Sequence, residues 1–313
     1  MRTAASMTAD PFLDLHPDDA RWAHGEGPGA HGVKLHYVRQ GQGSPVVLLH
    51  GWPGFWYDWR RVVPALAPVA DVIAPDLRGF GRSDKPDLPP EEGYTPLALA
   101  ADVFALIDHL AVERPVVVAH DIGATVAQAM ALSLPERIRA LVLLNPPYLG
   151  IGNRWFEPAA QRELWYQHLH AQPWSHLLVG HDRETVKIYL SHFYDRWAGK
   201  KEAVRPAELE AIVDAYARPG AVEGGFNYYR ARWLTRYQDF PQEEDPREFN
   251  IRHPTLVLWG DADPLLPFEW SDRLTEYFPG SKLRRLPGVG HFVPFEAPDE
   301  VVDGVRGMLE GTP

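Results

Sequence analysis

The chain has 313 residues, 45% of them hydrophobic, a formal charge of −11 and no cysteine. This is enough apolar material for a sizeable core in one large domain or two, and it excludes disulfide and thiolate chemistry. The acidic balance excludes a nucleic-acid partner, because binding phosphates needs clustered Lys and Arg, and Arg60-Arg61 and Arg284-Arg285 are isolated pairs.

No stretch approaches the roughly 20 apolar residues that span a bilayer. The first thirty residues carry Asp10, Asp14, Asp18 and Asp19 and no apolar run, so no secretory signal is visible. A soluble cytoplasmic protein is expected, with no membrane partner.

In chain order, residues 1 to about 30 read as a loose arm closed by Gly25-Glu26-Gly27-Pro28-Gly29. Val33 to Val38 alternates apolar and polar, the period of a half-exposed strand. Pro45 to Leu49 is an all-apolar strand ending in His50-Gly51-Trp52-Pro53-Gly54, followed by an aromatic-rich helix and the strand Asp71 to Asp76. The loop Leu77 to Pro86 is dense in turn residues. Thr95 to Leu110 has helical apolar spacing at Leu99, Val103, Leu106, Ile107 and Leu110.

Next comes the run Pro115-Val116-Val117-Val118-Ala119-His120, a buried parallel strand by its β-branched composition. It stops at Asp121 and passes at once into an Ala-rich helical pattern from Ile122. The sequence is strand, sharp turn, helix, an elbow with Asp121 at its apex. Taken alone, Asp121 reads equally well as a helix N-cap. Ile138 to Asn145 supplies another buried strand.

From Pro146 to about Asn250 strand runs vanish, and helical patterns rich in Trp, Tyr and His take over. Strands then resume at Thr255 to Trp259 and Lys282 to Leu286, and a last helix covers Asp299 to Leu309. Strands alternating with helices imply an α/β fold with a mostly parallel sheet covered on both faces. In such a sheet functional side chains gather at the carboxyl ends of strands. The candidates there are His50 to Pro53, Asp121, Asp261 or Asp263, and His291. No metal-ligand spacing involves His120, His168 or His170.

His50-Gly51-Trp52-Pro53, the Asp76-x-Arg78-Gly79-x-Gly81-x-Ser83 loop, His120-Asp121-x-Gly123, Gly260-x-x-Asp263 and Gly290-His291 together resemble the epoxide hydrolases of the α/β-hydrolase fold. The resemblance covers nearly everything after residue 30. It implies an N-terminal arm at 1–30, an α/β-hydrolase core at 31–145 and 251–313, and a helical cap at 146–250. It also implies the roles that follow.

Asp121 is the nucleophile. A serine attacking an epoxide carbon would leave an inert ether, whereas a carboxylate leaves an ester whose carbonyl water can attack. His291 is the base for that water, its other ring nitrogen held by Asp263, with Asp261 the competitor. The backbone N–H groups of Trp52 and Ile122 form the oxyanion hole. Ring opening expels a basic alkoxide, and the resemblance assigns its stabilisation to two phenols. Tyr166, in Tyr166-Gln167…Gln172-Pro173, and Tyr229, in Asn227-Tyr228-Tyr229-Arg230, match the family's segments, with Tyr228 the adjacent alternative.

Trp52, Pro53, Ile122 and Gln167 are the expected substrate contacts, with a cis peptide before Pro53. Trp155, Trp165, Trp174, Phe193, Trp197, Phe226 and Trp233 are read as cap core or pocket wall, and Asp76 and Arg78 as loop ties. The implied substrate is a small hydrophobic epoxide plus water, with no cofactor and no metal. A homodimer is left open.

Two rivals remain in the reading. A dehalogenase would use the same Asp-ester chemistry, but Ile122 stands where haloalkane types carry a halide-binding Trp. A non-catalytic ligand-binding protein on this scaffold would require a missing catalytic part.

Overall fold

The computed structural model describes residues 15–238 and 249–311, with side chains left aside at 232–238. The first fourteen residues of the expected arm, and the wall role read for Trp233, lie outside the described residues.

Eight strands form one sheet in the order β1-β2-β4-β3-β5-β6-β7-β8 among the described residues. They are β1 (His24–Pro28), β2 (Lys34–Gln40), β3 (Ser44–Leu49), β4 (Ala70–Pro75), β5 (Val116–His120), β6 (Ala140–Leu144), β7 (Thr255–Gly260) and β8 (Lys282–Leu286). β1 and β2 pair antiparallel with their neighbours, and every pair from β4 through β8 is parallel. Every residue of β5, β6 and β7 is buried, as parallel strands covered on both faces must be.

One segment departs from expectation. The glycine-rich stretch at 24–28 is an edge strand, not the end of a loose arm. Its alternate residues Gly25 and Gly27 lie against Tyr37 and Leu106, where any β-carbon would overlap those side chains. The glycines permit close packing there, which composition alone reads as looseness.

The core helices are α1 (Val62–Leu66), α2 (Pro90–Gly93), α3 (Pro96–His109) and α4 (Ile122–Ser133). Thr95 caps α3 by accepting the Ala98 N–H at 3.1 Å, with Pro96 in the first turn, where its missing N–H costs nothing. Between β6 and β7 the chain runs through α5 (Pro158–Glu163), α6 (Trp165–His170), α7 (Ser175–Val179), α8 (Arg183–Trp197), α9 (Pro206–Tyr216) and α10 (Ala221–Gln238). The chain closes with α11 (Leu274–Tyr277), α12 (Val293–Glu296) and α13 (Pro298–Gly311). None of the described helices is long and apolar enough to cross a membrane.

The helical insertion touches residues that follow the strands, Tyr166 lying on Trp52 and Trp197 against His291, and buried charges tie it to the core. Glu208 of α9 is buried with buried Arg60, which donates to it from Nε at 2.9 Å, and it also accepts from Arg61 and Arg205. Losing one partner of such a buried pair typically costs about 3–5 kcal/mol, because the other charge is stranded. On the core side, Arg78 makes a two-pronged contact with Asp102 at 2.6 and 2.7 Å, while Asp76 accepts the N–H groups of Trp56 and Arg82. Both residues tie loops, as read from the sequence.

Candidate active site

Asp121 is the last residue before α4, with φ 49° and ψ −119°. That conformation is costly for a residue with a side chain, and such strain persists where the surroundings over-determine it. Gly123 makes the corner feasible. A β-carbon there would overlap the carbonyl oxygens of Leu49 and His50, so α4 could not start this close to β3.

The Asp121 side chain does not cap its helix. Its Oδ1 accepts the Trp52 N–H at 3.0 Å, and the neighbouring Ile122 N–H also favours the ionised carboxylate. The Trp52–Pro53 peptide is cis. Burial pushes the Asp121 carboxyl above the usual range, while His291 and these two N–H groups pull against the rise.

His291, in the loop after β8, is fully buried. Its Nδ1 bonds to Asp263 Oδ2 at 2.8 Å, and its Nε2 stands 3.8 Å from Asp121 Oδ2. Burial disfavours the imidazolium, but Asp263, Asp121 and Glu296 outweigh it, and the pKa ends above the ordinary histidine value.

Asp263 Oδ1 accepts the N–H groups of Leu265 and Leu266, at 2.8 and 3.1 Å. Its Oδ2 also accepts from Asn145 Nδ2 at 2.6 Å, and Asn145 Oδ1 accepts the Gly260 N–H at 2.8 Å. Asn145 therefore ties the end of β6 to the end of β7 and to the acid. Asp261, the competitor, turns away to bond Arg285 Nε and the Gly288 N–H.

Two phenols from the insertion face Asp121. Tyr166 on α6 lies flat against the Trp52 indole, with ring centroids 5.2 Å apart, and its hydroxyl accepts from Gln167 Nε2 at 3.0 Å. Tyr229 on α10 meets Tyr166 edge-on, with ring centroids 5.5 Å apart. Burial, then the neighbouring Tyr166 and Asp121, raise the Tyr229 pKa well above the usual phenol value, so it stays protonated. The hydroxyl of Tyr228 is engaged with Thr125 Oγ1 at 2.7 Å.

A cavity of about 40 Å³ lies between the carboxylate and the phenols. Asp121, Ile122, Tyr166, Gln167 and Tyr229 line it, joined by Tyr228, Pro147, Trp155, Leu265 and Leu266. Two expected contacts are not in this wall. The Trp52 ring is packed behind Tyr166 and reaches Asp121 only through its backbone, and the Pro53 carbonyl accepts from Tyr194. Leu265 and Leu266 were missed, because nothing local marks a residue after the acid as pocket wall.

Trp165 and Trp174, read as core or wall, are 41% and 52% exposed. His120 bonds the His291 carbonyl, and His170 is packed among Trp52, Phe226 and Tyr229. Among the described residues no group of three His, Cys, Asp or Glu side chains could hold a metal ion.

The family model described as the alpha/beta hydrolase fold matches residues 44–298. The chain belongs to that family. This alpha/beta hydrolase is similar to the soluble epoxide hydrolase of Corynebacterium sp. strain C12, at 30% identity over 87% of this chain and 92% of that one. It is also similar to haloalkane dehalogenase 2 of Mycobacterium bovis, at 28% identity over 96% and 97%. A solved structure of the epoxide hydrolase CorEH without ligand aligns with a TM-score of 0.79 at 27% identity, covering 92% of this chain and 98% of that one. The chain is thus an epoxide-hydrolase-like member of the alpha/beta hydrolases.

Proposed function

We propose that this protein hydrolyses a small hydrophobic epoxide to a vicinal diol. The observation that carries the reading is the cavity itself, lined by a carboxylate on one side and by two phenols in edge-on contact on the other. In this scheme an Asp121 oxygen attacks a ring carbon, the carbon–oxygen bond of the ring breaks, and a phenol protonates the oxygen that leaves. Residues 146–250 then serve as the cap that supplies those phenols.

Ester formation removes the Asp121 charge, one of the anions that favour the His291 imidazolium. The imidazolium thus loses part of its support at the stage when a base is needed. His291 takes a proton from water, the hydroxide adds to the ester carbonyl, and Trp52 and Ile122 N–H groups hold the oxyanion. Collapse expels the diol oxygen, which takes the proton from His291. The proton left on Asp121 restores the phenol.

The dehalogenase reading shares the first carboxylate attack, and the Mycobacterium bovis relative keeps it in view. The residue after the nucleophile is Ile122, which offers no side-chain donor to a halide.

The test is one turnover of a styrene-type epoxide in heavy-oxygen water, beside a haloalkane scored for halide. Heavy oxygen is expected in the peptide carrying Asp121, with diol as product. Label confined to the diol, or halide release without diol, overturns the proposal. Tyr166→Phe and Tyr229→Phe are each expected to slow enzyme alkylation by about 10²-fold, the usual loss for one preorganised donor. Stopped-flow alkylation at the parental rate in the double variant would remove both phenols from the scheme.

A further inference from the structure

The loop that carries His291 is held by a carboxylate the mechanism does not use. Glu296 on α12 is 5% exposed. Its Oε2 accepts three backbone N–H groups, from Gly290 at 2.8 Å and from Gly199 and Lys200 at 2.9 Å each. Its Oε1 accepts the Phe292 N–H at 3.0 Å. Gly290 and Phe292 flank His291, whereas Gly199 and Lys200 form the turn after α8, in the insertion.

Other contacts run the same way. The His291 N–H donates to the Trp197 carbonyl at 2.9 Å, and Lys200 Nζ donates to the Glu296 carbonyl at 2.9 Å. Beside the carboxylate the two backbones touch directly. A β-carbon on Gly199 would overlap Gly288 and Gly290 backbone, and one on Gly290 would overlap Gly199 and Trp197 backbone. The groups facing the imidazole are Asp121 from the elbow, Asp263 after β7, Glu296 from α12 and His120 from β5, the last kept neutral by burial.

A buried carboxylate accepting four N–H groups is a strong, directional clamp, because each bond is charge-assisted. Those donors sit at loop positions where no strand or helix partner is at hand, so the carboxylate satisfies them. Asp121 is positioned by β5, α4 and the Trp52 N–H, and the phenols stand on α6 and α10, with Tyr166 also touching Trp197 at the end of α8 through rings 5.0 Å apart.

We propose that Glu296 is a positioning residue that joins the His291 loop to the Gly199-Lys200 turn, making the water-attack half of the reaction depend on how the helical insertion seats on the core. The proposal rests on the two-step reading above. It implies that ring opening is set by the elbow and the phenols, and that turnover of the ester is set at this seam.

The test measures alkylation and dealkylation separately, by rapid quench and intact mass on the full chain with a styrene-type epoxide. Dealkylation is followed as first-order decay of the adduct, so it is independent of how much of a variant folds. Glu296→Gln removes the charge and sets an amide NH₂ against one of the N–H donors. Gly199→Ala keeps the carboxylate and pushes the backbones apart from the other side. Both are expected to slow dealkylation by about 10–100-fold, the cost of a displacement near 1 Å. Alkylation stays within about threefold, so adduct accumulates.

In Glu296→Gln the pH midpoint of dealkylation also moves down, because an anion favouring the imidazolium is gone. Glu296→Asp, which keeps the charge, retains the parental midpoint. Unchanged dealkylation in both variants, or an equal fall in both steps, overturns the proposal. If His291→Gln itself accumulates no adduct, it is the two-step reading that fails.

Discussion

Asp121→Asn is expected to abolish turnover, with a loss on the order of 10⁴–10⁶ in kcat, the scale seen when a covalent nucleophile is removed. The amide keeps the shape and still offers an oxygen to the Trp52 N–H, but it does not attack a ring carbon. The side chain is also buried and its carboxyl is raised above the usual range. A raised pKa means the folded state binds the proton more tightly than the unfolded chain, so at neutral pH the ionised carboxylate weighs against folding. The variant should therefore melt at or above the parental temperature while being inactive. Full activity in a preparation shown by mass to be free of deamidation would dismiss Asp121 as nucleophile.

His291→Gln gives the second large effect, and a different one. Asp121 needs no base to attack, so alkylation continues, while hydrolysis of the ester loses its proton acceptor. General-base removal typically costs about 10²–10⁴-fold, enough for the alkyl-enzyme to accumulate. Intact-mass spectrometry after mixing with a reactive epoxide should show a single adduct, and peptide mapping should place it at Asp121. The pair of variants separates the two half-reactions. One stops before the covalent bond, the other after it. A His291→Gln protein that turns over without any adduct would leave the scheme without support.

Much of the fold was legible because its signals are local. The Val116 to His120 run followed by Asp121 and an Ala-rich helix marks the elbow, since burial on both faces demands an unbroken apolar strand. The order of candidates along the chain was readable for the same reason, each ending a strand. The edge strand at 24–28 was not legible, because glycine's closeness of approach to Tyr37 and Leu106 looks, in composition, like a flexible linker. Nor was the place of Trp174, whose exposure depends on which side of α6 and α7 the insertion turns toward the core.

What the chain's own order of residues determined is the α/β architecture and the set of groups able to do chemistry at the strand ends. Apolar period, turn residues and motif spacing are properties of neighbours in sequence. Tertiary structure alone decided which members of each set meet. Asp263 reaches His291 while Asp261, two residues away, reaches Arg285. Tyr229 faces Asp121 while Tyr228 goes to Thr125. Arg60, an unremarkable half of a basic pair in sequence, is buried against Glu208, 148 positions away. Glu296 collects N–H donors from two turns nearly a hundred residues apart. Such choices rest on angstrom-scale distances between segments remote along the chain, and only packing sets those distances.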